Sequence, residues 1–381
     1  DHRDIHSFPY TTLFRSVDKV LEDGVEVVLN HLEPYRVPGE PSAVVLEKEF
    51  VIDAESPDLF KAGLTDIFRF GVGADGSIYI AQRPRKDVPV VFKFDKAGRL
   101  QSSFGRVGQG PGEIERCAYF GVIGRDEVYV LDAQGKRITT FASSGELLRE
   151  TRLPASLLGA IPLENGNFIA PRGEAFPNEG QEEIGFDLLD RQFVRTKALH
   201  SFRFPLERMG AAKINAYLTN PTGSFDSHKI YIGLPGKDYE VLVFDLDGDL
   251  LRKIRKDYAP VAVTAAFREA VLARLPQGSP AAGRLEFPEH KPSFHYIFAD
   301  EMGKIFVSTS EVDKASGQNI CDVFDASGVF ICRAVVGYYD LLKTYWEGVT
   351  LDVVARNGRF YVLHEKENGY KELIVSKAIW R

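Results

Sequence analysis

Six stretches of one kind recur along this chain, and each reads as a short strand: Ser77-Ile78-Tyr79-Ile80, Glu127-Val128-Tyr129-Val130, Asn167-Phe168-Ile169-Ala170, Lys229-Ile230-Tyr231-Ile232, Lys304-Ile305-Phe306-Val307 and Arg359-Phe360-Tyr361-Val362. β-Branched and aromatic residues concentrate in them, as a pleated, packed surface requires. Their third residues are separated by 50, 40, 62, 75 and 55 residues. Recurrence at that scale points to a repeated unit, swollen by insertions in its later copies.

One complete copy of the unit lies between Gly105 and Leu153. Tyr119 to Ile123 and Glu127 to Leu131 read as strands, Lys136 to Phe141 as a third and Glu146 to Leu153 as a fourth, after a Ser143-Ser144-Gly145 turn. Such a four-stranded antiparallel sheet cannot bury both faces alone, so copies must pack beside it. The turn after the third strand recurs as Phe94-Asp95 to Gly98, Phe244-Asp245 to Gly248 and Phe324-Asp325 to Gly328. Its Asp satisfies the local backbone and its Gly supplies a positive φ. Phe186 to Phe193 is a version of the same element without the glycine. Radial repetition of four-stranded blades accounts for these observations: an all-β, six-bladed β-propeller.

The run from Gly105 to Ile114 (GRVGQGPGEI), followed by this strand pattern, resembles the NHL-type propellers and, more closely, bacterial 6-bladed β-propeller proteins. Leu21 to Val28 (LEDGVEVV) and Lys291 to Phe294, leading into Ala299-Asp300 and Gly303 to Val307, agree with that resemblance, which spans roughly residues 17 to 381. It implies the fold and a periplasmic or extracellular location. On activity it is almost silent, because a propeller hosts many functions.

Residues 1–16 do not join the pattern and are expected to be a non-native leader, so an export signal is not observable in this chain. Residues 17–43, polar and proline-containing, are expected to form an arm on the outside, and residues 44–381 a single propeller domain. The last unit runs out of chain one strand short. Val44 to Asp53 is expected to supply that strand, pairing with the strand around Lys371 to Ala378 and closing the ring. Thr264 is expected to cap one short helix over Ala265 to Leu275, inserted before blade five, with Phe267, Val271 and Leu275 on one side and Pro276 ending it. Apolar residues make up 44% of the chain, enough for a sizeable core, and no apolar run reaches the length of a membrane helix.

The net charge of −7 disfavours a general nucleic-acid surface. The local basic run Arg83 to Lys86 reads as a solvated turn. No nucleophile elbow, P-loop or HExxH occurs, and the glycines between Gly105 and Gly112 join strand to strand rather than opening a helix. The three cysteines, Cys117, Cys321 and Cys332, show no metal-ligand spacing, so neither metal nor cofactor is expected. Cys321 and Cys332 flank the Asp325 to Gly328 turn. They would face each other across a four-residue loop, and one residue of bulge would break that pairing.

In a propeller the innermost strands line the central channel. Counting back six to eight residues from each second-strand signature gives mostly apolar residues, broken by Arg69, Asn220, His295, Thr350 and Asp352. Arg69, His295 and Asp352 come from contiguous blades, and with Arg106 they form the candidate ligand site, for a small anionic or polyol ligand. The competing reading is a plug of polar groups that satisfy one another or the backbone. The function expected is a non-catalytic binding scaffold, a monomer that presents loops to a protein, peptide or glycan. Those loops include Gln82 to Pro89, Arg172 to Glu182, Ser308 to Gln318 and Tyr338 to Trp346. The alternative is a lactonase-like, metal-dependent hydrolase or lyase centred on the channel, although the column offers few ligands for a metal.

Overall fold

A computed structural model describes residues 17–124, 126–157, 159–205, 214–217, 222–226, 228–235, 238–275, 278–279, 283–337 and 353–381. Six sheets stand around a central axis, four antiparallel strands to a blade. Blade one is Arg69–Val72, Ile78–Ala81, Val91–Phe94 and Leu100–Phe104. Blade two is Cys117–Ile123, Glu127–Asp132, Arg137–Phe141 and Leu147–Arg152. Blade three begins with the two-residue strand Ile161–Pro162 and continues through Phe168–Phe176, Gln181–Leu189 and Arg195–Pro205. Blades four and five start at Thr222–Phe225 and Phe294–Ala299 and end at Leu250–Lys256 and Phe330–Val335.

Blade six closes the ring. Its strands Val353–Arg356, Arg359–Glu365 and Lys371–Trp380 are completed by Val44–Asp53, which pairs antiparallel with the last of them, from Glu372 opposite Asp53 to Trp380 opposite Val44. The expected closure is therefore present. The second-strand residues Tyr79, Tyr231, Phe306 and Tyr361 have no more than a trace of exposed surface and pack between blades.

The segment ahead of Val44 is more ordered than a polar arm. Asp18–Glu22 and Val25–Asn30 form a hairpin whose second strand adds in parallel to the outer strand of blade four, making that sheet six-stranded. Arg255 holds the hairpin through Glu22, with Nη1 and Nη2 at 2.5 and 2.8 Å from its two carboxylate oxygens. The chain then crosses blade five, where the Tyr35 N–H donates to Phe330 O at 2.7 Å. It reaches blade six where Ser42 and Ala43 donate to Arg381 O at 2.7 and 3.1 Å. One strap thus spans blades four, five and six.

The turns after the third strands have the expected chemistry. Asp95 accepts the N–H groups of Ala97 and Arg99, and Asp325 those of Ser327 and Val329. The glycine that follows is left-handed, at φ 78° for Gly98 and 85° for Gly328. A type I turn ending in a left-handed residue makes a three-residue loop with an adjoining bulge, and the register shifts accordingly, between Val323 and Phe324 in blade five. The cysteine pairing fails for this reason. Cys321 lies opposite Ala334 and Cys332 opposite Val323, and all three cysteines are free. Such diagonal neighbours stand about 7–8 Å apart, beyond the reach of a disulfide at about 7 Å. Blade three keeps the turn without the glycine: Phe193 takes the left-handed position at φ 61°, and its ring packs on Phe168 at 4.7 Å.

The inserted helix runs over Ala265–Ala273, and Thr264 Oγ1 accepts the Phe267 N–H at 3.2 Å. Its apolar side joins a satellite core of Ala216, Tyr217, Val263 and Val271, with Phe267 and Leu275 against it. A second helix, Pro57–Lys61, precedes blade one; its five residues are too few for a periodic pattern to reveal.

Candidate functional site in the central channel

Each inner strand enters the channel from the face that carries the long connections and leaves it at a short turn into the second strand. At the short-turn end the inner strands of blades two to six enclose a cavity of about 170 Å³. Its apolar wall includes Val122, Phe225, Ala299, Val353 and Ala355, and its polar rim is Glu164, Asp226, Asp300, Glu301 and Arg356.

Much of that rim is held by backbone donors, several of them in a neighbouring blade. The Gly124 N–H of blade two donates to both Glu164 oxygens of blade three, at 2.9 and 3.0 Å. The Asn357 N–H of blade six donates to Glu301 Oε1 of blade five at 2.7 Å; beyond the cavity lining, the Ala74 N–H of blade one donates in the same way to Asp126 of blade two at 2.9 Å. Asp226 is fully engaged: Oδ1 accepts the N–H groups of His228 and Lys229, and Oδ2 accepts the Tyr231 hydroxyl at 2.8 Å. Burial, with the Asp226 charge beside it, pushes the Tyr231 phenol up.

Asp300 and Arg356 are engaged less completely. Asp300 Oδ1 accepts the N–H groups of Met302 and Lys304, at 3.0 and 2.8 Å, and Oδ2 receives no hydrogen bond from a described residue. Burial raises its carboxyl to about 6, against the pull of the Lys304 N–H and with the Glu301 charge adding to the rise. The Arg356 guanidinium gives one hydrogen bond, from Nη1 to Val72 O of blade one at 3.1 Å, and forms no ion pair with a described residue.

Of the residues singled out in the sequence, those that the structure describes lie outside this cavity's lining. Arg69 opens the inner strand of blade one, at the long-loop end, where its guanidinium stacks on Phe68 at 4.1 Å and donates to Phe68 O at 3.1 Å. Arg106 pairs with Glu113 of its own loop at 2.8 Å, on a side chain 80% exposed. His295 is buried under Tyr217, and burial, with Lys291 adding to it, lowers the imidazole to about 3. Asp352, Asn220, Thr350 and the loop from Tyr338 to Trp346 lie outside the described residues. Two of the other loops are partly sheet: Arg172 to Glu182 is the tip of an extended hairpin, and strand Ile305–Val312 covers the start of Ser308 to Gln318.

His295 also meets a serine, with Nε2 3.1 Å from Ser310 Oγ. That hydroxyl donates its single proton to Pro292 O at 2.6 Å, so the imidazole N–H must be the donor in the contact. The pair is therefore set up the wrong way round for a base activating a nucleophile. Among the described residues no three His, Cys, Asp or Glu side chains are grouped so as to hold a metal ion.

Four of the five polar rim residues stand at a different offset. Counting back three residues, rather than six to eight, from each second-strand signature gives Ala74, Gly124, Glu164, Asp226, Glu301 and Arg356. Those positions end the inner strands, where the turns bring side chains of different blades together. In the sequence Glu164, Asp226, Glu301 and Arg356 look like ordinary polar turn residues.

Residues 72–216 match the model of a family described as a 6-bladed beta-propeller, in keeping with the resemblance to bacterial propeller proteins. No curated protein matches the chain. Among solved structures the chain is similar to an exported-protein candidate of Bacteroides fragilis, at 12% identity and a TM-score of 0.52, over 93% of this chain and 99% of that one. It is also similar to a gluconolactonase of Xanthomonas campestris, at 10% identity and a TM-score of 0.41, over 89% and 96% of the two chains. A third is virginiamycin B lyase of Staphylococcus aureus, at 10% identity and a TM-score of 0.37, over 88% and 99%. At such identities the likeness is one of fold. No described helix is long and apolar enough to cross a membrane.

Proposed function

We propose that this chain is a non-catalytic binding scaffold that holds a small polar ligand in the channel cavity and presents the connections of the opposite face to a protein, peptide or glycan. The observation that carries the reading is the cavity itself, a space of about 170 Å³ walled by five blades and rimmed with charged groups. Glu164 and Asp226 in that rim are occupied by backbone N–H groups and a phenol, an arrangement suited to rigid recognition more than to proton transfer. Similarity to an exported-protein candidate supports a place outside the cytoplasm. Arg69 and the neighbouring loop Gln82 to Pro89 are the part of the opposite face assigned to a partner.

The test is a thermal-shift screen of a metabolite library against the native protein and the cavity-filling variant Ala299→Phe. A compound that stabilises the native protein and loses its effect in a folded Ala299→Phe supports the reading. Hits indifferent to the variant would remove the cavity from it. Stoichiometric calcium or zinc in the purified protein would favour a metal-dependent hydrolase or lyase instead.

A further inference from the structure

We propose that the ligand of the channel cavity is a small zwitterion, an amino acid or ω-amino acid, whose ammonium group is held on the Asp300 and Glu301 side and whose carboxylate is held by Arg356. This rests on the reading that the cavity binds a ligand.

Blades five and six are tied together at this mouth by the 2.7 Å hydrogen bond from the Asn357 N–H to Glu301, so Arg356 and the Asp300-Glu301 turn border one space. Opposite charges in such a position would ordinarily neutralise each other. Here they do not: the guanidinium turns to Val72 O of blade one, and neither Asp300 nor Glu301 pairs with it. A guanidinium has five N–H donors in a planar fork that matches a carboxylate. Four of those donors remain without a described partner. Asp300 keeps one carboxylate oxygen in the same condition, on a side chain withdrawn from water far enough to perturb its titration. Half-buried charged groups that the described residues satisfy only in part are costly unless water or a ligand completes them.

Other ligand classes satisfy only part of the wall. A simple anion would suit Arg356 but would meet the charges of Glu164, Asp226 and Glu301. A simple amine would suit the carboxylates and leave the guanidinium unanswered. The space is close to the roughly 150 Å³ that encloses a benzene ring, so the ligand is limited to about six to eight heavy atoms by the same comparison. Val122, Phe225 and Val353 offer an apolar flank for a short aliphatic chain between the two charges.

The experiment uses calorimetry and thermal shift at neutral pH with the twenty amino acids and γ-aminobutyrate, each against its matched amine and acid; for γ-aminobutyrate these are butylamine and butyrate. At least one zwitterion is expected to bind about tenfold or more tightly than either counterpart, the discrimination that a charge-assisted hydrogen bond supplies. Arg356→Gln should erase the preference over the amine, while Asp300→Asn should weaken zwitterion and amine alike, both variants melting cooperatively. Amines binding as well as zwitterions, with Arg356→Gln indifferent, would overturn the proposal. If all zwitterions fail while another metabolite binds in a manner abolished by Ala299→Phe, the ligand class is wrong and the cavity reading survives. If no compound depends on the cavity, both fall.

Discussion

Gly98, in the turn after the third strand of blade one, lies against the ring of Phe50 in the closing strand of blade six, and a Cβ on it would stand 2.6 Å from Phe50 Cδ2. The same joint repeats around the ring. Gly145 of blade two meets Phe104 of blade one, Gly248 of blade four meets Leu199 of blade three, and Gly328 of blade five meets Ile254 of blade four, at 2.7 to 2.8 Å for the missing Cβ. These glycines therefore serve twice, supplying a left-handed turn and leaving room for the preceding blade.

Gly98→Ala should then lose about 2–4 kcal/mol, combining left-handed strain with displacement of Phe50. Gly358 has φ 68° and open space around it, so Gly358→Ala isolates the backbone part, about 1 kcal/mol. Urea denaturation of the two variants measures the difference, and equal losses would show that the inter-blade contact contributes nothing.

Asn30 is where the strap is pinned. Its buried side chain donates to Gly328 O at 3.0 Å and Arg255 O at 3.2 Å and accepts the Phe330 N–H at 2.8 Å. Asn30→Ala strands those backbone groups and should cost about 2–4 kcal/mol. Amide exchange should quicken first in residues 25–30 and at Phe330.

Asp300 should make stability depend on pH in an unusual direction. Its folded carboxyl, at about 6 against an ordinary 3.8, binds a proton more tightly than in the unfolded chain. Its favourable contribution is therefore present below about pH 4 and lost as pH rises through 6. The groups around it are Glu301 and Lys304 on its own turn, Asp226 and Tyr231 of blade four, Glu164 of blade three and Arg356 of blade six. Asp300→Asn should melt higher than the native protein at pH 7.5, by up to about 2 kcal/mol after allowance for solvent screening. The gap should close by pH 4. A constant gap across that range would assign the effect to something other than titration.

Lys256 and Asp322 form an ion pair at 3.3 Å with both side chains 1% exposed. Asp322 also accepts from the Tyr239 hydroxyl at 2.9 Å and Arg333 Nε at 3.1 Å, joining blade four to blade five. Asp322→Ala leaves a buried ammonium without its carboxylate and should cost about 3–5 kcal/mol. Lys256→Met should cost less, because the carboxylate keeps two donors. The order of the two losses, read from denaturation midpoints, is the test.

The thiols should stay reduced and unreactive in the folded protein. Burial pushes Cys117 up to about 12 and Cys332 to about 11, and raises Cys321 as well. Iodoacetamide at pH 8 should label none of the three until denaturant is added, even in protein recovered from an oxidising compartment. A bridged mass would contradict the register of blade five.

The strands, the turns and the closure could be read from the chain alone because each has a local cause. A run of β-formers makes Glu127–Asp132 a strand, Asp95 and Gly98 make a turn, and an odd strand such as Val44–Asp53 has to be used somewhere. What stood opposite what was decided by the tertiary structure. The Gly328 turn has a three-residue loop and a bulge that together set Cys321 opposite Ala334, two residues past Cys332, and such a slip is invisible in composition. The cavity at the short-turn end of the channel was hidden in the same way, because a polar residue that closes an inner strand reads as a turn until six strands are set around an axis. Only then do Glu164, Asp300 and Arg356, far apart in the chain, border one space. Pairing within a strand is written over a few residues, whereas contact across the channel depends on the curvature of the whole ring.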